Sequence, residues 1–226
     1  VSLRALYSIA RILLKLVLGR GVRSSYSQDG EDILVETFLP KDKIGTYVDV
    51  GAYHPIQYSN TYRLYRRGWK GVVVEPNASL RPLFSFFRPR DRFVQEGVAS
   101  VAGTSTYYEF SDGAYNTFSK QQADIVRSQP YPAFVRERSM RVRPLSEMLR
   151  EQGVTAVDVL SVDVEGFDVE VLSTLDWEHP PRLIAIEDTT FTMAQPSASE
   201  AYRFLTEKEY KLVAAAPRTL IFQYKS

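Results

Sequence analysis

The sequence predicts an α/β domain on an open, mostly parallel sheet with helices on both faces, and three runs of residues predict it. Thr46-Tyr47-Val48-Asp49-Val50 leads into Gly51, Gly71-Val72-Val73-Val74 ends at Glu75, and Val157-Asp158-Val159-Leu160-Ser161-Val162 ends at Asp163-Val164-Glu165-Gly166. Short, nearly continuous apolar runs suit strands buried on both faces, as in parallel sheets whose crossover helices cover each side. A glycine turn after such a strand lets backbone approach a ligand closely. An acid at the end of the next strand can accept both hydroxyls of a ribose. Three strands tipped by carboxylates argue for a site as well as a fold.

The other elements follow from local signals. Ser2 to Val17 places Leu3, Leu6, Ile9, Leu13, Leu14 and Leu16 on a helix, with Arg4, Arg11 and Lys15 recurring on one face and no acid before Asp29. This is a basic amphipathic helix, too short and too charged to span a bilayer and without the cleavage pattern of a signal peptide. Its apolar face suits packing on the domain, a second copy of the chain in a homo-oligomer, or peripheral attachment to an anionic membrane. Residues 1–25 form this segment and 26–226 the domain. A second helix runs from Glu31 to Phe38, stopped by Pro40, and a third from Asn60 to Arg67, ended by Gly68. Asn77 caps a helix through Phe87, and a third strand lies near Phe93 to Ala99. Thr104 to Phe110 is β-rich, whereas Ser111 to Arg138 has weak periodicity and reads as a long irregular segment, a feature often functional. Arg141 to Pro144 reads as a short strand, Leu145 to Gln152 as a helix, then strand Val157 to Asp163, a helix through Val169–Leu172, strand Leu183 to Glu187 and a helix from Ser199 to Lys208. Leu212–Ala216 and Leu220–Tyr224, joined at Pro217, close the chain as a hairpin.

Composition narrows the function classes. The 226 residues carry a formal net charge of +1, so nothing global points to nucleic acid. Cysteine is absent, which removes disulfides, thiolate zinc sites and a cysteine nucleophile, and fits a reducing, cytoplasmic location, with the inner face of the membrane open to the first helix. His54 and His179 are the only histidines, so a multi-histidine metal centre is excluded. The 44% hydrophobic content supports a full core.

Six motifs in order, Ser27-Gln28-Asp29-Gly30-Glu31-Asp32, Val48-Asp49-Val50-Gly51-Ala52, Ser59-Asn60-Thr61-Tyr62, Gly68-Trp69-Lys70-Gly71, Val74-Glu75-Pro76-Asn77 and Asp163-Val164-Glu165-Gly166, resemble the FkbM family of methyltransferases. The resemblance covers roughly residues 26 to 188. It implies a class I methyltransferase fold, Rossmann-like, with a seven-stranded, mostly parallel sheet and a C-terminal antiparallel hairpin. It also implies methyl transfer from S-adenosylmethionine, commonly to a hydroxyl of a sugar or polyketide. By the same resemblance Asp49, Gly51 and Ala52 lie beside the methionine part of the cofactor. Glu75, followed by Pro76, holds the ribose, and Gly97, Val98 and Ala99 meet the adenine. Gln28, Glu31, Asn60 and Thr61 lie near the amino-acid end. For Asn60 a helix cap is the competing role, and for Gln28 and Glu31 a capping arrangement.

Asp163 and Glu165 flank the place where the transferred methyl should lie and are candidate catalytic residues, Asp163 being a cofactor-binding candidate as well. His54, in a Gly-Ala-x-His-Pro arrangement that family members often carry, is a candidate base; a packed turn histidine is the alternative. Asp163, Glu187 and Asp188 resemble the magnesium ligands of some metal-dependent sugar O-methyltransferases, and hard oxygen donors suit Mg²⁺. Asn116-Thr117-Phe118, with Tyr107, Tyr108, Tyr115, Tyr131 and Phe134, is a candidate lid over a small-molecule or glycan acceptor, or a satellite core. Arg136, Arg138, Arg141 and Arg143 are a solvated strand face or partners for a phosphate. The expected reaction is O-methylation of a saccharide or glycoconjugate. A non-catalytic adaptor on the same fold and an NAD(P)-linked oxidoreductase are the competitors; the latter lacks the second and third glycines of its fingerprint.

Overall fold

Side-chain alternation along each strand decides how the layers form. The computed structural model describes residues 2–17, 23–164 and 166–225; the expectation for Glu165 falls outside them. In chain order the elements are α1 (Leu3–Val17), α2 (Glu31–Thr37), β1 (Thr46–Val50), α3 (Tyr62–Arg66), β2 (Lys70–Val74), α4 (Arg81–Phe87), β3 (Arg92–Val94), β4 (Gly97–Val98), β5 (Gly103–Phe110), α5 (Lys120–Arg127), β6 (Phe134–Arg143), α6 (Leu145–Glu151), β7 (Val159–Val162), α7 (Asp168–Ser173), β8 (Leu183–Glu187), α8 (Glu200–Glu207), β9 (Tyr210–Ala215) and β10 (Thr219–Tyr224). Seven strands form one sheet in the order β3-β2-β1-β7-β8-β10-β9, parallel except for β10, which runs antiparallel to both neighbours.

One face of each central strand feeds each core. Val48, Val50, Leu160, Val162, Ile184 and Ile186 meet Leu145, Met148, Leu172 and Leu205 from α6, α7 and α8. The alternate residues Tyr47, Val159, Leu183 and Ala185 meet Val35 from α2 and Leu64 from α3. Helices thus cover both faces, and the nearly continuous apolar sequence of the strands, broken at Asp49 and Ser161, follows from that. The strand order reverses between β1 and β7. In open α/β sheets ligands bind beyond the carboxyl ends of the strands at such a switch point.

The sequence expectation needs revision in two places. Segment 111–138 is not irregular: it holds α5 and much of β6, and β6 pairs with β5 over nearly its whole length to form a second sheet, β4-β6-β5. Its strand character is masked because β6 is solvated at Arg136, Glu137 and Arg138, leaving no apolar alternation to read. Second, the expected strand from Phe93 to Ala99 is two strands, β3 on the main sheet and β4 on the small one. The four arginines of β6 are paired: Arg136 and Arg138 with Glu109, Arg141 and Arg143 with Glu96.

Candidate active site

Strand register places the site. Val50 is level with Val74 on one side and Val162 on the other, and Val162 is level with Ile186. The next residues, Gly51, Glu75, Asp163 and Glu187, therefore stand side by side along the carboxyl edge of the sheet. Backbone bonds continue the register one step past the strands, from Gly51 N–H to the Val74 carbonyl (3.0 Å) and from Asp163 N–H to the Val50 carbonyl (3.0 Å).

All four line one hollow of about 470 Å³, together with Gln28, Arg218 and a rim that includes Tyr53, Tyr58 and Tyr115. A narrower apolar slot of about 130 Å³ opens beside it, between Val74, Gly97, Val98 and Val164 under Phe118; Gly51, Pro76, Val164 and Phe118 belong to both. Gly51 is required by geometry. Its φ is +78°, and a Cβ there would lie 1.7 Å from the carbonyl oxygen of Asp163. At Gly97 a Cβ would meet the Phe118 ring at 2.4 Å, so a side chain there would displace the ring from its place over the slot.

Burial drives the electrostatics. Glu75 accepts the N–H of Tyr53 (3.0 Å) and of Asn77 (2.8 Å) on its two oxygens. Burial nonetheless pushes its carboxyl up to about 7, against the lowering by those two bonds. Asp163 is raised well above the carboxylate range by burial first and then by Glu187, to which it is hydrogen-bonded. Two carboxyls this close disfavour ionising together, which favours a proton shared between them. Neighbouring Asp168, also raised to about 7 by burial, accepts the N–H of Val164 and of Gly166 at 3.1 Å each. Asp168, rather than Asp163, therefore shapes the turn into α7.

The remaining candidates sort by depth. Asp49 lies behind the wall: it is 4% exposed, accepts from Thr61 and Ser161, and has the Arg88 guanidinium 3.8 Å away. Asn60 donates to Ser161 (3.2 Å), and Ala52 packs on Val73 and Phe84. Glu31 is buried, accepting Asp29 N–H (2.8 Å) and the Thr219 hydroxyl. It supports the loop carrying Gln28 and Asp29, and Asp29 in turn pairs with Arg218 at 2.9 Å. Gly30, with φ +90°, opens α2 without a side-chain cap. The helix cap considered for Asn60 is absent too, because Ser59 takes Tyr62 N–H at 3.0 Å.

Two expectations are corrected. His54 spends Nδ1 on the N–H groups of Ile56 (3.1 Å) and Gln57 (3.0 Å), and burial lowers its pKa. It is a neutral turn histidine outside the lining of the hollow. The Asp163, Glu187 and Asp188 set does not form a magnesium site either: among the described residues no group of carboxylates and histidines has the arrangement to hold a metal ion. Asp188 is spent elsewhere, accepting Thr190 N–H (2.9 Å) and the hydroxyls of Thr190 and Ser199. Mg²⁺ does not fit these donors.

The sequence reading missed Tyr53, Tyr58, Asp112 and Arg218. Tyr53 and Tyr58 have φ of +48° and +57°, stack at 6.4 Å, and both face the hollow. Non-glycine residues held in the left-handed region cluster at functional sites. Asp112 accepts from the hydroxyls of Tyr53 (3.5 Å) and Tyr131 (3.2 Å). Arg218 follows Pro217 at the tip of the β9–β10 hairpin, where its carbonyl accepts Asp188 N–H (2.8 Å) beside the end of β8. The aromatic segment divides. Tyr107, Tyr115, Asn116, Thr117 and Phe118 line the hollow, whereas Tyr108 packs with Phe110, Ala123 and Val126 in a satellite core.

The sequence description of the methyltransferase FkbM domain matches residues 49–212. No curated protein matches the chain significantly. Among solved structures, the precorrin-6y C5,15-methyltransferase of Geobacter metallireducens is similar at 12% identity, over 86% of this chain and 87% of that one, with a TM-score of 0.45. A TehB-like SAM-dependent methyltransferase of Corynebacterium glutamicum is similar at 11% identity over 98% of each chain, with a TM-score of 0.40. Likenesses this loose say nothing of what this chain binds. The domain match does not depend on them: it runs from the end of β1 to the start of β9 and takes in all four strand-tip residues at the floor of the hollow. The chain belongs to the FkbM family of methyltransferases, whose methyl donor is S-adenosylmethionine.

Proposed function

We propose that the protein methylates a hydroxyl group of a saccharide or glycoconjugate, with the Asp163–Glu187 pair as the proton acceptor. The observation that carries this reading is the placement of that pair on the floor of a hollow whose rim is built from Tyr53, Tyr58 and Tyr115. Aromatic faces suit the apolar faces of sugar rings, while Asp112 and Asn116 on the same wall suit ring hydroxyls.

The residues present fit the donor. Gly51 leaves room for close backbone approach, the carboxylate of Glu75 suits two vicinal ribose hydroxyls, and the slot between Val98, Val164 and Phe118 suits a flat apolar ring. Gln28 and Arg218 suit the amino-acid end. When bound, S-adenosylmethionine supplies a methyl group already activated by its sulfonium charge. The chain's own task is then to orient an alcohol oxygen and take its proton. Sharing one proton, Asp163 and Glu187 retain one basic site, and the burial that raises Asp163 makes that site a stronger base than an exposed carboxylate. An acceptor seated among Phe118 and the tyrosines that line the hollow would displace water from the base.

Transfer of labelled methyl groups to a panel of oligosaccharides and lipid-linked sugars tests the proposal; a panel without methylated product under conditions where the donor binds rejects the acceptor class. Asp163→Asn should lower kcat by on the order of 10²–10⁴-fold, the range of general-base catalysis, while leaving donor affinity within a few-fold. Since the base acts only when deprotonated, kcat should fall as pH drops on the acid side. Wild-type turnover in the Asn variant removes the pair from the mechanism.

A further inference from the structure

We infer that α1 is an in-plane anchor for an anionic phospholipid surface. Arg4, Ser8, Arg11 and Lys15 fall at i, i+4, i+7 and i+11, a polar stripe about 60° wide at 3.6 residues per turn. The rest of the circumference is apolar, and its large described side chains are uncovered. Leu6, Ile9, Leu13 and Val17 are 50–83% exposed, and Tyr7 and Leu14 beside them are exposed as well.

Charge and width together select the occupant. Residues 2–28 contain five cations and no acid, whereas residues 29–226 hold 23 cations against 27 acids. A strongly basic helix in an otherwise acidic chain is complementary to phosphate headgroups. A helix–helix seam with a second copy covers a narrow a/d stripe and leaves Tyr7, Ile12 and Leu14 in water. Lying in the headgroup boundary buries the whole apolar arc and leaves the cations at phosphate level. The fifteen described residues of α1 rise about 22 Å, less than the roughly 30 Å of a hydrocarbon core, and lying in plane needs no greater length. No helix of the described residues is long and apolar enough to cross a membrane. An enzyme held this way works on acceptors at the membrane surface.

The test is flotation of the full chain with vesicles of phosphatidylcholine, with and without phosphatidylglycerol. The chain should float with the anionic vesicles only, and less so as salt rises. Changing Arg4, Arg11 and Lys15 together to Gln should lower the partition coefficient on the order of 100-fold, at about one factor of five per lost cation. Leu6→Gln with Leu13→Gln should abolish flotation while S-adenosylhomocysteine binding, made by the separate domain, stays unchanged. Absence of wild-type flotation, equal flotation of the triple variant, or a lipid-independent dimer that the leucine changes dissociate would each overturn the inference.

Discussion

Arg88→Met should lower the unfolding free energy by about 3–5 kcal/mol, the scale on which removing one partner of a buried ion network destabilises a protein. Arg88 is 1% exposed at the end of α4, where all its polar contacts come from other buried groups. Its Nε donates to Asp91 (2.6 Å), Nη1 to Ser59 (3.2 Å), and Nη2 to Tyr47 (3.0 Å) and Thr61 (2.8 Å). Asp91 is also the acceptor for the Tyr47 hydroxyl and for Gly71 N–H, so this one guanidinium ties α4 to β1, β2 and the start of α3. A methionine fills much of the volume but leaves Asp91 buried without its cation and Asp49 without its nearest positive charge. Burial already pushes Asp49 up, with Arg88 the chief opposing influence. Chemical denaturation measures the loss, and for a chain of this size Tm should fall roughly 6–20 °C. Arg88→Lys should recover part of it, since it restores the charge but not the planar fork. A loss below about 1 kcal/mol would mean the network is not what joins these elements.

Gly51→Ala should cut kcat/KM by at least on the order of 100-fold, the usual consequence of a displacement near 1 Å at a reacting site. Two effects add. An L-residue at φ +78° costs about 1–2 kcal/mol, and the new Cβ would stand 1.7 Å from the Asp163 carbonyl oxygen, backbone that cannot rotate away. Relief requires β1 and β7 to part at their tips, which separates Glu75 from Asp163. Gly68→Ala is the matched control. Its φ is +95°, yet its Cβ would find only Ile44 at 3.6 Å, so it carries the conformational cost without the clash. If both variants lose activity equally, the close approach at Gly51 is not the reason.

Much of the fold and of the site's floor is legible in the sequence because buried parallel strands announce themselves. The runs ending at Val50, Val74 and Val162 are nearly all apolar, and parallel pairing alone sets the residues that follow them, Gly51, Glu75 and Asp163, along one edge of the sheet. What lies hidden is whatever depends on neighbours distant in the chain. Arg88 reads as one more surface arginine in Arg88-Pro89-Arg90, and nothing local shows that Tyr47, Asp91 and Thr61 enclose it. The strand around Arg136 carries charges at half its positions and reads as loop, since its pairing to β5 rests on backbone rather than on an apolar face. Tyr53 and Tyr58 owe their positions to backbone angles that no side-chain pattern encodes. Asp188 looks equivalent to Glu187 as a ligand, but Ser199, eleven residues on, takes its carboxylate.

Calorimetric titration with S-adenosylhomocysteine, set beside NADH, tests the central claim most directly. The wild-type chain should bind the former alone. Glu75→Ala should weaken that binding by about 1.5–3 kcal/mol, the worth of hydrogen bonds to a charged group. The pH dependence has a definite sign. Ribose hydroxyls donate to the ionised form, and Glu75 in the free protein titrates near 7, so binding expels a proton and affinity falls as pH drops below about 7. Tight binding of NADH alone, or S-adenosylhomocysteine affinity indifferent both to Glu75 and to pH, would contradict a donor pocket at these strand tips.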